Sequence, residues 1–164
     1  MKFNNKATQT IGRLNALPQP LRGFALTKAI GSVVKYMGTS SVKVHELNYQ
    51  RGEFSLDNIK KIQNHIGSVH AAAIALLAES ASGLVVNMNV PDTNVPVIKT
   101  LKVNYEKRTQ GALKAVATLT EAQIQQIRTT EKGEVTVEVH VTDESGREPV
   151  VCEMIWAWTP KRRN

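Results

Sequence analysis

One carboxylate stands out in the most apolar segment of the chain. Glu79 lies in the run 71–86, AAAIALLAESASGLVV, and apart from Asp92 it is the only charged group between His70 and Lys99. An ionised carboxylate among apolar side chains must be paired, raised in pKa or placed at an edge. Held in a desolvated cleft, such a group is suited to act as a general base or a nucleophile. A plainer reading puts Glu79 on the exposed strip of its helix beside Ser80 and Ser82. Residue types alone leave both open.

Other chemistries find no support in the residue spacing. The chain has no G-x-S-x-G elbow, no G-x-x-x-x-G-K-[ST] phosphate loop, no G-x-G-x-x-G fingerprint and no H-E-x-x-H zinc motif. His45, His65, His70 and His140 lack carboxylate or cysteine companions at ligand spacing, so a metal centre is not expected. Cys152 is the only cysteine, which excludes an internal disulfide and fits a reducing compartment.

Apolar spacing then shows what must position Glu79. Residues 1–40 read as helical, broken at Leu17-Pro18-Gln19-Pro20. After the break Leu21, Phe24, Ala25, Ala29, Val33, Tyr36 and Met37 are expected on one inward face, and Gly38 is expected to end that helix. Strand grammar follows at 42–47 and 52–56, and the alanine-rich run reads as one buried helix. Four strands in meander order should come next. Val97, Leu101, Val103 and Tyr105 share one phase; Leu113, Ala115, Ala117 and Leu119 share another. Val135, Val137, Val139 and Val141 alternate with polar residues, Asp143-Glu144-Ser145-Gly146 turns, and 150–158 returns. Thr120-Glu121-Ala122-Gln123 reads as a capping box opening a short helix. Trp156, Trp158, Met154 and Cys152 share a phase and should pack in a core or interface. One apolar helix needs one sheet to bury it, so the expected class is α+β, an antiparallel sheet curled around a central helix.

The residues around that helix resemble a known signature. Asn64-His65-Ile66-Gly67-Ser68-Val69-His70-Ala71-Ala72 leads in, and Ala78-Glu79-Ser80-Ala81-Ser82-Gly83 closes it. This is similar to the hotdog-fold thioesterases of the phenylacetate and enterobactin type, whose pattern is Gln-Pro-x-Gly-x-x-His-Gly-Gly followed by a helix ending Leu-Ala-Glu (or Asp)-Ser. Within that superfamily the branch that includes the YiiD C-terminal domain looks closest. Asn64 stands at the glutamine, Gly67 and His70 match, and Glu79 falls on the catalytic acid. Ala71 and Ala72 replace the family glycines, and His65 replaces the proline. The stretch 103–113, VNYEKRTQGAL, looks like the family's next strand pair with its tight loop. The resemblance covers roughly residues 41–159. It implies a hotdog fold with a central helix at about 70–84, a helical extension over 1–40 and a basic tail at 160–164, all one domain.

It also implies a reaction. A thioester carbonyl would sit at the start of the 70–84 helix, polarised by the Ala71 N–H, the Asn64 side chain and the helix dipole. Glu79 would activate water or attack directly. His70 would orient the loop. Gly67, Ser82 and Gly83 would line the substrate, and Lys107 and Arg108 would meet the phosphates of coenzyme A or of a carrier protein's pantetheine. Nine residues separate His70 from Glu79, about 900° of rotation and roughly 13 Å of rise, so one helix cannot bring both to one carbonyl. A homodimer or a dimer of dimers, with Glu79 supplied by a neighbour, solves this. No cofactor is expected beyond the coenzyme A thioester as substrate. Rival readings are a hotdog dehydratase or hydratase and a non-catalytic acyl-binding protein.

Size and charge complete the expectation. The chain has 164 residues, 41% apolar and 21% charged, as in a single globular domain. The net charge is +7, and residues 1–45 hold seven basic and no acidic residues. These charges are regularly spaced and lack base-stacking aromatics between them, so neither nucleic acid nor a membrane is an expected partner. No apolar run reaches the roughly 20 residues of a membrane span, and the expected location is the cytoplasm.

Overall fold

Two helices of this protein start in the same way. The side chains of Asn5 and Thr120 each accept a hydrogen bond from a first-turn N–H, and Thr8 and Gln123 answer with their own side chains. The computed structural model describes residues 3–162; Lys2 and Arg163, which carry part of the basic ends, lie outside them. The first helices are α1 (Lys6–Asn15), α2 (Leu21–Val33) and α3 (Lys35–Thr39). Next come β1 (Lys43–Leu47), β2 (Arg51–Leu56) and the central helix α4 (Ala71–Asn87). The remainder is β3 (Asn94–Tyr105), β4 (Leu113–Thr118), α5 (Glu121–Thr129), β5 (Gly133–Asp143) and β6 (Val150–Pro160).

All six strands join one antiparallel sheet in the order β1-β2-β4-β5-β6-β3. The alternation expected in β4 and β5 is met: Leu113, Ala115, Ala117, Val135, Val137, Val139 and Val141 are buried and their neighbours face out. On α4, Leu77, Ala78, Ala81, Val85 and Val86 are fully buried against that face. Trp158 and Met154 of β6 complete the core, with Ile11, Leu26, Ile30 and Met37 from the first three helices. The expected α+β architecture is therefore present.

Four local expectations are corrected. The last four strands do not form one meander, because β3 pairs with β6 at the far edge rather than with β4. The 17 residues of α4, about 26 Å at 1.5 Å per residue, carry the chain across the sheet before β3 begins. Within β3 a bulge between Ile98 and Thr100 shifts the register. It puts Val97 on the opposite face from Leu101, Val103 and Tyr105. The α2 phase also differs: Leu26, Ile30 and Met37 face the core, whereas Leu21, Phe24, Val33 and Tyr36 are exposed. Finally, Gly38 does not end a helix. The break falls at Val34 (φ −92°, ψ 81°), and Gly38 lies inside α3 against Gly31, where a Cβ would come within 2.5 Å of the Gly31 carbonyl oxygen.

Candidate functional site

The loop before α4 is folded by its own amide. Asn64 Oδ1 accepts from the N–H groups of Ile66 and Ser68, both at 3.1 Å. Its Nδ2 has no hydrogen-bond partner among the described residues and remains a free donor. Gly67, at φ +76°, makes the turn, and its carbonyl accepts from Asn58 Nδ2 at 3.0 Å. His70 caps α4: its Nδ1 accepts from the Ala72 N–H at 3.1 Å, and its backbone N–H donates to Ile62 O at 2.8 Å. The capping bond occupies the Nδ1 lone pair. It also leaves the Ala71 N–H without a partner among the described residues, at the positive end of the helix.

These donors share a cleft. Asn64, Ile66, Ser68, Ala71, Tyr105 and Lys107 line a space of about 410 Å³ together with Arg108 and Thr109. Tyr105 was not singled out as a site residue from the sequence. Its hydroxyl donates to Ala71 O at 2.7 Å, and burial, then the nearby Cys152, raises its pKa. The signal was present in the shared phase of Leu101, Val103 and Tyr105, which places all three on the α4 face. Arg108 closes the cleft as a strap: Nε donates to Ser68 Oγ at 3.1 Å and Nη2 to Ile66 O at 2.8 Å. Lys107 remains exposed, and with Arg108, Arg147 and Gln110 it lines an adjoining space of about 470 Å³. Arg147, from the turn between β5 and β6, is a second residue the sequence reading did not single out.

Glu79 stands apart from this cleft, eight residues along α4 from Ala71 and so about 12 Å up the helix axis. It is half-buried, with one weak partner, Ser80 Oγ at 3.4 Å from Oε2. Desolvation raises its pKa above the ordinary carboxylate value, and the Ser80 bond opposes this in part. Ser80 and Ser82 do not share an exposed strip with it, since both are buried. The outward stripe of α4 is instead Ala72, Ala75, Glu79, Gly83 and Asn87.

The expected substrate roles of Ser82 and Gly83 find another explanation. Ser82 Oγ donates to Ala78 O (2.9 Å) and Glu79 O (3.0 Å), and accepts the Trp156 indole N–H at 2.9 Å. Ser82 is fully buried, so that hydroxyl is out of reach of a ligand. Gly83 makes room for the same ring, because a Cβ there would lie 2.4 Å from it. Ser82 belongs to the wall under Glu79, whereas Gly83 stays on the outward stripe and lets the Trp156 ring approach it. Cys152 is half-buried, and burial, then the Glu148 charge, pushes its thiol up to about 11, so it is no nucleophile near neutrality. Among the described residues no group of three or more His, Cys, Asp or Glu side chains could hold a metal ion.

The wall continues onto β3. Ile98 pairs across the strands with Trp156, Leu101 with Met154 and Val103 with Cys152, so these side chains lie on the sheet face that α4 covers. Yet Ile98 and Leu101 remain 36% and 45% exposed. The stripe bearing Glu79 and the inner face of edge strand β3 thus form one uncovered apolar surface.

Residues 24–158 match a family described as a domain of unknown function, DUF4442. The chain belongs to that family. No curated protein matches it. Solved structures resemble it over most of its length. One is a protein of unknown function from Pseudomonas aeruginosa, PA5026, named a probable thioesterase. The two are 20% identical over 88% of this chain and 97% of that one, with a TM-score of 0.75. A Shewanella oneidensis protein named a putative thioesterase is 12% identical, over 93% of this chain and 99% of that one, with a TM-score of 0.70. The Haemophilus influenzae thioesterase HI1161 is 11% identical, over 82% and 90%, with a TM-score of 0.66. Likeness at these identities carries the fold. This member of the DUF4442 family has the hotdog fold.

Proposed function

We propose that this protein hydrolyses acyl thioesters at a site shared by two copies of the chain, with Glu79 as the central residue. The observation that carries this reading is a half-buried carboxylate, without a cationic partner among the described residues, on the uncovered stripe of the central helix. A folded chain tolerates such a group when it does chemistry or meets a partner. The names of the structural neighbours, thioesterases among them, support the same reaction class.

In this reading the thioester carbonyl lies in the cleft at the start of α4. The Ala71 N–H and the Asn64 Nδ2 donate to its oxygen, which becomes negative in the transition state. The partner's Glu79, brought over by pairing along β3, takes a proton from water as the water oxygen bonds to the carbonyl carbon. Collapse of the tetrahedral intermediate breaks the carbon–sulfur bond, and the thiolate leaves and is protonated. Direct attack by the carboxylate would give an anhydride, which water then opens. His70 acts by setting the turn that frees the Ala71 N–H. The acyl chain takes the apolar surface of Ile98 and Leu101, and Lys107 faces the phosphates of coenzyme A or of a carrier protein.

The test is thiol release from a panel of short, medium, long and aromatic acyl-CoAs. Glu79→Ala should lower it by about 10²–10⁴-fold while the variant stays folded and dimeric. Unchanged release from that variant would remove Glu79 from the mechanism. Acyl-CoA binding without release by the wild type would favour a non-catalytic acyl-binding protein.

A further inference from the structure

The loop that carries Asn64 has little burial to hold it. His65, Ile66 and Gly67 are exposed, Gly67 sits at φ +76°, and Ser68 and Val69 are buried only where the loop meets α4. Hydrogen bonds must fix the rest, and two residues receive them from both sides. The N–H groups of Ile66 and Ser68 donate to Asn64 Oδ1. From the other side Arg108 donates to the Ile66 carbonyl and to the Ser68 hydroxyl.

Arg108 reaches them from the loop after β3, 40 residues along the chain from Ser68. Its planar fork meets both at once, Nε at 3.1 Å and Nη2 at 2.8 Å. Both partners are neutral, and the hydroxyl of buried Ser68 has no other partner among the described residues. Drawing Arg108 away would strip that hydroxyl of its bond. The Asn64 side-chain amide is planar, so a fixed Oδ1 also fixes the direction of Nδ2. A shift of the Ile66–Ser68 backbone would carry that donor with it.

We propose that Arg108 is a positioning residue: it grips the two residues whose N–H groups hold Asn64 Oδ1, and so aims Nδ2 at the thioester carbonyl oxygen. The inference rests on the thioesterase reading for the identity of that oxygen. The rival role is a phosphate contact, since Arg108 also lines the outer cleft with Lys107 and Arg147. The two roles make different demands. A phosphate needs charge, which lysine also supplies; the grip needs two donors in one rigid fork, which lysine lacks. A misaimed donor weakens contact with the oxyanion of the transition state more than binding of the ester.

The test compares Arg108→Lys and Arg108→Gln with the wild type on one acyl-CoA. The same acyl group is also offered on N-acetylcysteamine, a thioester without phosphate. Positioning predicts that both variants lower kcat by about 10- to 100-fold on both esters, with KM within about twofold. Amide exchange at Ile66 and Ser68 should quicken by about tenfold in Arg108→Lys while that variant stays folded. A loss confined to the CoA ester, seen in KM with Arg108→Gln and repaired by lysine, would make Arg108 a phosphate ligand and overturn the proposal. Wild-type kcat in Arg108→Lys on both esters overturns it as well. So do unchanged exchange rates, which need no turnover to be read. A wild type that releases no thiol from either ester, with exchange quickened in Arg108→Lys, would fail the thioesterase reading and leave the grip on the loop standing.

Discussion

Two regions of this molecule leave large apolar side chains in water, and they differ in backbone and in charge. The first joins the α4 stripe to β3, a 12-residue edge strand with a row of unpaired backbone groups. Its apolar side chains Ile98 and Leu101 lie on the sheet face that faces α4, the helix that carries the half-buried Glu79. Lys99 and Lys102 on that strand have Glu134 and Glu153 as partners, so the charges are matched. An unpaired edge with balanced charge is a template for another copy of itself. The second region is helical, with its backbone hydrogen bonds satisfied internally, and its lysines, Lys28 and Lys35, have no carboxylate partner among the described residues. The exposed Leu21, Phe24, Val33 and Tyr36 point to different sides of α2 and α3, so they offer side chains but neither strand pairing nor one continuous face.

The comparison breaks most visibly at Leu101. A Leu101→Glu substitution puts a carboxylate on the inner face of the free edge, where its copy and Glu79 would both repel it. We expect light scattering to show a monomer, and thiol release to fall by about 100-fold because the shared site is not assembled. The monomer should remain folded, since Leu101 is 45% exposed in the single chain. Phe24→Ser with Val33→Ser should instead leave the dimer and the turnover of a short acyl-CoA intact, and loss of the dimer in that variant would move the contact from β3 to α2.

A smaller effect tests the wall beneath the stripe. Ser82→Ala removes the acceptor for the Trp156 indole N–H, which is buried on that face. An unsatisfied buried donor costs about 1–3 kcal/mol, read as a lowered denaturant midpoint. If Ser82 only supports packing, the fall in stability should come with a KM for acyl-CoA close to that of the wild type.

Much of this was legible from residue order. The central helix, the β5–β6 hairpin and the Thr120 capping box follow from periodicity and local hydrogen bonding, which need no knowledge of distant contacts. Other features were decided by tertiary geometry. The inward face of α2 could not be read from Leu21, Phe24, Val33 and Tyr36, because their spacing is as helical as that of Leu26, Ile30 and Met37. Only the packing of α2 on β1 chooses between the two sets. The place of β3 depends on how far α4 carries the chain, and its phase on a bulge that leaves no mark in the alternation of Val97 and Leu101. At the candidate site, Asn64, Gly67, His70 and Ala71 were visible as a local motif. Tyr105 and Arg147 reach their clefts from 34 residues and more away along the chain, and Ser82 reads as a pocket residue until Trp156 is seen to hold it.

The smallest expected effect on stability lies at Glu79 itself, and it joins stability to chemistry. Burial raises its pKa in the folded chain, so folding favours the protonated form. That contribution is complete below the unfolded-state pKa and is lost as pH rises through the higher folded-state value. Above that folded-state value the wild type carries a half-desolvated charge, and Glu79→Gln removes it. We expect the melting temperature of Glu79→Gln to exceed the wild type by about 1–3 °C at pH values above the raised pKa, with the gap closing as pH falls below it. Turnover should run the other way. If the ionised carboxylate takes the proton from water, thiol release by the wild type falls as pH drops through that same raised pKa, while the glutamine variant stays inactive throughout. A pH-independent stability gap would place the carboxylate in water. The stripe beside β3 would then lose its distinction from the exposed side chains of α2 and α3.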